Sequence, residues 1–227
     1  MNSEEMPAAL LARRRLCTVV VDGLDILGLH LADQLVHLRL GTVILRDDSL
    51  VDEQVSGFRA IDRGRPRAEA AAELIGARAQ QTAVVEAPEG ATVSGADLHI
   101  VTGHGSLPAQ VLRRAAKESP AVLPVLASSS GWCVGPLLLH NSPVCVECLD
   151  GSGLLTAAPG PIVVVPHPLM LAAAAVAAQQ AQVLVDGVHR CLMEQAALIG
   201  EADTGMIMPT AVRPGLDCAC LTRVEPR

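Results

Sequence analysis

The sequence has almost no aromatic residues: Phe58 and Trp132 are the only two, and tyrosine is absent. A core without rings must be filled by Ala, Val and Leu, which favours close helix-on-sheet packing over an all-β barrel. Nor can so few rings build the base-stacking platform of single-strand nucleic-acid binders. Positive charge is also short. The 17 Lys and Arg residues face 24 Asp and Glu, a net charge of −7. That balance excludes nucleic acid as a general partner.

A signal-peptide layout is missing too. Acidic residues come first in Met1 to Leu16 and three arginines, Arg13 to Arg15, come late. The most apolar stretch, Leu169 to Val185, is Ala-rich and interrupted by Gln179, Gln180 and Gln182. It reads as a buried helix rather than a membrane span. There is no internal repeat and no low-complexity tract. These features lead us to expect a soluble, cytoplasmic chain with no membrane partner. The 227 residues suit one domain over 16–227 behind a short N-terminal segment, 1–15.

What is present follows an α/β rhythm. Leu16 to Val21 is a β-branched run closing on Asp22-Gly23, and Ile26 to Leu40 carries apolar residues at helical spacing. Gly41 stops that helix and Thr42 to Leu45 forms a second strand, completing a βαβ unit. After a charged, irregular stretch, Pro66 opens a helix over Arg67 to Ala79. Strands are expected at Thr82 to Glu86, Leu98 to Thr102 and Ala121 to Leu126, with a helix from Pro108 to Lys117. The expected fold is a Rossmann-like, doubly wound α/β sheet. Further strands are expected within Trp132 to His140, at Ile162 to Val165 and at Met206 to Val212. A long helix opened by Pro166-His167-Pro168 lies between the last two.

Two constellations could carry chemistry. Cys145 and Cys148 form C-x-x-C, and Cys218 with Cys220 forms C-x-C. Four thiolates in two close pairs suit a closed, tetrahedral, structural zinc site. The competing readings are small buried residues or a labile disulfide. Cys17, Cys133 and Cys191 lie in apolar patterns and read as core. The second constellation is Gly23-Leu24-Asp25-Ile26-Leu27-Gly28, placed between strand and helix like a G-x-G-x-x-G phosphate loop. Asp25 stands at its middle glycine, where a carboxylate would repel a pyrophosphate. An ordinary strand-to-helix turn fits the same residues.

Together, strand, altered glycine turn, helix, strand and late paired cysteines resemble the ThiF/MoeB/HesA family, the ubiquitin-activating-enzyme-like adenylyltransferases. The run Asp62-Arg-Gly-Arg-Pro-Arg-Ala-Glu-Ala-Ala-Ala-Glu73 is similar to that family's G-R-P-K-A-E-A-A helix start. The resemblance implies a nucleotide site built on Gly23, Asp25 and Gly28, with Asp47 toward the ribose and Arg59 and Arg67 toward the phosphates. It also implies erosion of that site. Arg67 replaces the phosphate-binding lysine, and only a displaced Arg59 remains from the run Gln54 to Arg59. His104 stands where the family places a metal-binding aspartate, a poor magnesium ligand. No cysteine lies between Leu149 and Pro166, where many members carry a thioester-forming nucleophile. ATP and magnesium are therefore doubtful cofactors, and zinc is the expected one.

His104, between Gly103 and Gly105, is also weighed as a catalytic base against a plain loop residue. The basic set Arg59, Arg63, Arg65 and Arg67 is weighed as a solvated face against a cradle for an acidic peptide.

A narrower resemblance lies in Ser130 to Leu139 followed by Cys145-Val-Glu-Cys148-Leu149-Asp150. It is similar to actinobacterial azoline-forming cyclodehydratase partner proteins, which present a precursor peptide to a separate YcaO-type enzyme that uses ATP. That implies a degenerate scaffold whose partners are a peptide, a small carrier protein or a YcaO-type enzyme. It also implies a homodimer through the sheet edge and the Ala helix, though Ala172 to Ala178 could equally pack on their own sheet. The enzyme-class alternative is an active adenylyltransferase that activates a C-terminal carboxylate. A third is a nucleotide-sensing module.

Overall fold

The computed structural model describes residues 7–53, 57–88, 90–140, 142–156, 165–189, 191–194, 196–215 and 218–220. The described residues open on a helix, α1 (Ala8–Leu16), within the expected N-terminal segment and its junction with the domain. It is docked by Arg14, whose guanidinium forks onto the Asp186 carboxylate at 2.6 and 2.7 Å. Leu16 is the last residue of this helix rather than the start of a strand.

The βαβ unit then follows as read: β1 (Thr18–Asp22), α2 (Ile26–Val36) and β2 (Thr42–Arg46). Next come α3 (Arg67–Gly76), β3 (Ala83–Glu86), β4 (Leu98–His104), α4 (Ala109–Glu118) and β5 (Ala121–Ser128). The helices α2 and α3 stop short of Leu40 and Ala79. A turn with Arg39 at φ 61° ends α2 before Gly41 is reached.

The second half departs further from the sequence reading. Trp132 to His140 is broken by a cis Gly135–Pro136 bond into β6 (Gly131–Val134) and β7 (Leu138–Leu139). The C-x-x-C pair opens a short helix, α5 (Val146–Gly151), and the Ala helix is α6 (His167–Asp186). Two strands close the described chain, β8 (Ala196–Glu201) and β9 (Ile207–Ala211). No strand was expected at β8. The strand expected at Ile162 to Val165 lies mostly outside the described residues.

The nine strands form one sheet in the order β3-β2-β1-β4-β5-β6-β8-β9, with β7 paired to the start of β5. The part from β3 to β5 is parallel, as expected of a Rossmann-like unit. From β5 onward every pairing is antiparallel, which corrects the wholly doubly wound sheet to a mixed one.

Alternation along each strand assigns the two faces. Val19, Val21, Val43, Leu45, Leu98 and Ile100 join α2, α3 and α6 in the main core. Ala173, Ala174, Ala177, Ala178 and Ala181 of α6 are buried in that core, where small side chains let α6 approach α2 and the sheet. Of the two roles weighed for these alanines, this is the intramolecular one. By length and composition α6 could also cross a bilayer. His167 is its first residue, with its ring edge-on to His30 at 5.1 Å. On the other face Val101, Val122 and Leu126 pack under α4, α5 and the cysteine pairs.

Candidate functional site

The glycine turn sits at the C-terminal ends of β1, β2 and β4, where open α/β sheets place their ligands. Gly23 takes φ +96°, and a Cβ there would lie 2.7 Å from Thr102 O. A Cβ on Gly28 would collide with Gly23 O at 1.9 Å. The Thr102 hydroxyl donates to Gly23 O at 2.7 Å and closes the turn. The two outer glycines thus serve the close approach a phosphate loop needs.

The backbone donors of that turn are nevertheless spent inside the chain. Asp25 is the N-cap of α2, and its Oδ1 accepts from Leu27 N at 2.9 Å and Gly28 N at 3.1 Å. A side-chain carboxylate therefore occupies the anion position that a helix N-terminus offers. Asp47, expected near a ribose, accepts from Leu24 N at 2.7 Å and from Ser49 N at 2.9 Å. Gly23 N donates to Arg46 O.

The two expected phosphate-binding arginines are also engaged. Arg67 donates to Leu50 O at 3.1 Å and lies 3.5 Å from Asp47 and 3.8 Å from Asp52, so it braces the loop after β2. Arg59 forks onto the fully buried Asp62 and reaches Glu73 at 3.0 Å. Arg65 joins the same network through Asp62, Glu69 and Glu73. Arg59 holds the Asp62 carboxyl down at about 2, and Arg65 with Arg59 does the same for Glu73. Arg63 pairs with Glu53 at 3.0 Å. The basic set is an ion-pair lattice, neither a bare solvated face nor an open cradle. Of the Gln54 to Arg59 run, residues 54–56 lie outside the described residues.

His104 is exposed at the end of β4, bridged through its backbone to Ser106. Among the described residues its ring has no hydrogen-bond partner, and nothing orients it as a base.

A buried ionic cluster that the sequence reading missed lies behind the turn. Arg46 reaches Asp22 and Glu118 at 2.6 Å each and His99 Nε2 at 3.1 Å. Arg114 adds a contact to Asp22 at 3.2 Å. Burial alone would raise the Asp22 carboxyl, but His99 and Arg46 outweigh it and hold it well below the usual range. Among the described residues Arg46 Nε and His99 Nδ1 have no hydrogen-bond partner, though His99 Nδ1 lies 3.9 Å from the Glu118 carboxylate. The one available signal was His99 between the apolar residues Leu98 and Ile100 of β4.

The four paired cysteines converge on the α4–α5 face of the sheet, opposite the main core. Their sulfurs all lie within 4.8 Å of one another, with Cys145 to Cys218 at 3.5 Å and Cys145 to Cys148 at 3.8 Å. Zinc–thiolate bonds of about 2.3 Å in a tetrahedron imply sulfur separations of roughly 3.8 Å, so Cys145, Cys148, Cys218 and Cys220 fit such an ion. Burial raises Cys148, but amide donors from Cys145 and Gly215 outweigh it and bring the thiol to about 7. Burial pushes the neighbouring Cys145 and Cys220 thiols up, so before any metal binds the cluster favours the thiolate at Cys148 rather than at all of its members. All seven cysteines are free thiols, so the disulfide reading is not adopted. Cys17 and Cys133 are core residues whose thiols burial pushes up to about 12, and Cys191 is buried as well.

Sheet, glycine turn and cysteine knuckle together define a Rossmann-like α/β fold with a candidate metal site. No protein-family model matches the sequence, and no curated protein matches it. Solved structures do. The microcin C7 biosynthetic enzyme MccB, in complex with N-formylated MccA, aligns with a TM-score of 0.74 at 16% identity, over 93% of this chain and 69% of MccB. E. coli MccB with AMPCPP and selenomethionine MccA gives 0.75 at 17% identity, over 93% and 68%. Selenomethionine PaaA gives 0.67 at 16% identity, over 89% and 75%. At these identities the likeness is one of fold.

Proposed function

We propose that this protein is a catalytically degenerate ThiF/MoeB-like scaffold that presents a ribosomal peptide to a separate YcaO-type enzyme in the cytoplasm. One observation carries the reading. The amides of Leu24, Leu27 and Gly28, which would cradle a pyrophosphate, are bound by the chain's own Asp47 and Asp25. A phosphate about 4 Å from the Asp25 carboxylate would meet a repulsion of about 4 kcal/mol per charge pair at an effective dielectric of ~20. The fold shared with MccB, solved with MccA and AMPCPP, supports a peptide-modification setting. The occupied turn argues against the nucleotide half of that chemistry. Any homodimer would have to form elsewhere than on the buried alanine face of α6.

The test is a titration of the purified protein with ATP and magnesium, followed by pyrophosphate exchange in the presence of candidate peptides and carrier proteins. We expect neither binding at micromolar concentrations nor exchange, and expect faster peptide modification when the protein is added to a YcaO-type enzyme. Micromolar ATP binding with exchange would establish the adenylyltransferase instead.

A further inference from the structure

A cavity of about 410 Å³ opens at the end of the sheet opposite the glycine turn. Its position follows from topology. The helix α4 returns antiparallel to β4, so its last turn arrives beside the start of β5. There β7 pairs antiparallel, Ala121 with Leu139. The chain then turns through His140 toward Val144 and Val146, which lead into α5 and the cysteine knuckle. One wall is therefore fixed by the sheet and the other by the knuckle, the condition for a pre-formed pocket.

Leu138, Leu139, Val144 and Val146 give the cavity an apolar side, Ser119, Ser142 and Cys145 line it as well, and Lys117 and His140 stand at it. Lys117 is the only lysine of the sequence. No carboxylate lies within ion-pair distance of its ammonium among the described residues. Glu118 also lines the cavity, but its carboxylate is held by Arg46 at 2.6 Å and is mostly buried. The cavity thus combines an uncompensated ammonium, an imidazole that can donate a hydrogen bond and an aliphatic slot. Lys117 lies in the last turn of α4, where the final carbonyls favour its ammonium and oppose any anion, so a ligand here must be held by apolar contact as well as by charge.

We infer that this cavity is a binding site for an aliphatic carboxylate. Lys117 and His140 take the carboxylate, and Leu138, Leu139, Val144 and Val146 take the hydrocarbon body. The same chemistry is offered by a free branched-chain acid and by the C-terminal residue of a peptide ending in Leu, Ile or Val. The site is separate from the glycine turn and does not depend on whether that turn handles nucleotides.

The experiment is amide chemical-shift mapping on the full, zinc-loaded chain, with N-acetyl-leucine as probe. Saturable shifts are expected at residues 116–119, 138–140 and 144–146, with N-acetyl-leucinamide and acetate each binding at least about tenfold more weakly. Lys117→Met should weaken N-acetyl-leucine about tenfold and leave the amide probe unchanged, while Lys117→Arg stays within about threefold. A peptide ending in leucine that binds more tightly than N-acetyl-leucine identifies a peptide terminus as the source; equal affinity identifies a free acid. Three results overturn the inference. They are no shift at these positions at about 10 mM probe, equal binding of acid and amide, or equal loss of both in Lys117→Met. Lys117 is exposed, so its variants keep the fold in which these outcomes are read.

Discussion

Asp47 Oδ2 accepts the backbone N–H of Leu24 at 2.7 Å and so ties the end of β2 to the glycine turn after β1. Its other oxygen takes Ser49 N, and Arg67 stands 3.5 Å away. An acid in this position can serve a ribose or hold the turn, and here its oxygens hold the turn. Asp47→Ala should therefore act on stability. Losing the acceptor of the part-buried Leu24 amide, together with that of the exposed Ser49 amide, costs about 1–3 kcal/mol, readable as a lower urea midpoint with unchanged slope. A variant with wild-type stability would contradict the assignment.

Asp25 caps α2, so Asp25→Ala should cost about 0.5–2 kcal/mol and Asp25→Gly only a few tenths. The pair of variants also tests the plugging of the turn. Glycine frees the amides of Leu27 and Gly28, so any phosphate affinity should emerge in Asp25→Gly and not in the wild type. Calorimetric titration with ATP reads this directly. Pyrophosphate exchange should stay absent in both, because Arg59 remains committed to Asp62 and Glu73.

For the cysteine knuckle we expect one zinc per chain. Chelation, or Cys148→Ser, should release it and loosen α5 together with residues 218–220, because a bound ion would join the two cysteine pairs, whose sulfurs lie within 4.8 Å of one another. Hydrogen exchange should show the loss of protection concentrated there, with β1, β2 and β4 still protected. Purified protein with no zinc and seven titratable thiols would sink the claim.

The buried cluster makes stability depend on acid. Asp22 titrates lower in the fold than in the unfolded chain, where its pKa is about 3.9, because His99 and Arg46 favour its charged form. Its stabilising contribution is therefore complete above about pH 4 and is lost as pH falls further. Thermal unfolding followed from pH 7 downward should show that loss, and Asp22→Asn should flatten the acid limb. Arg46→Met should be more damaging at neutral pH, by about 3–5 kcal/mol, because it removes the 2.6 Å partner of both buried carboxylates and leaves Asp22 to Arg114 and His99, and Glu118 to His99 alone. Equal pH profiles for wild type and Asp22→Asn would remove Asp22 from the account.

The sequence by itself determined the βαβ start, the α6 helix, the paired cysteines and the misplaced carboxylate at Asp25. Each is a local pattern: a hydrophobic period, a helix-opening proline, a short cysteine spacing or one residue in a six-residue turn. The strand β8 escaped because Ala196 to Glu201 has no clear alternation, lying between β6 and β9. Only the tertiary structure decided what the residues do. It turned Asp25 back onto its own helix, spent Asp47 on Leu24 and locked Arg59 onto Asp62. It also gathered Asp22, Arg46, His99 and Glu118 from different strands and α4, and left Lys117 without a carboxylate beside an apolar cavity. The reason is range. Periodicity and turn chemistry act over a few residues and can be read along the chain. Partner choice among charges depends on which strands become neighbours and on which groups burial forces to pair.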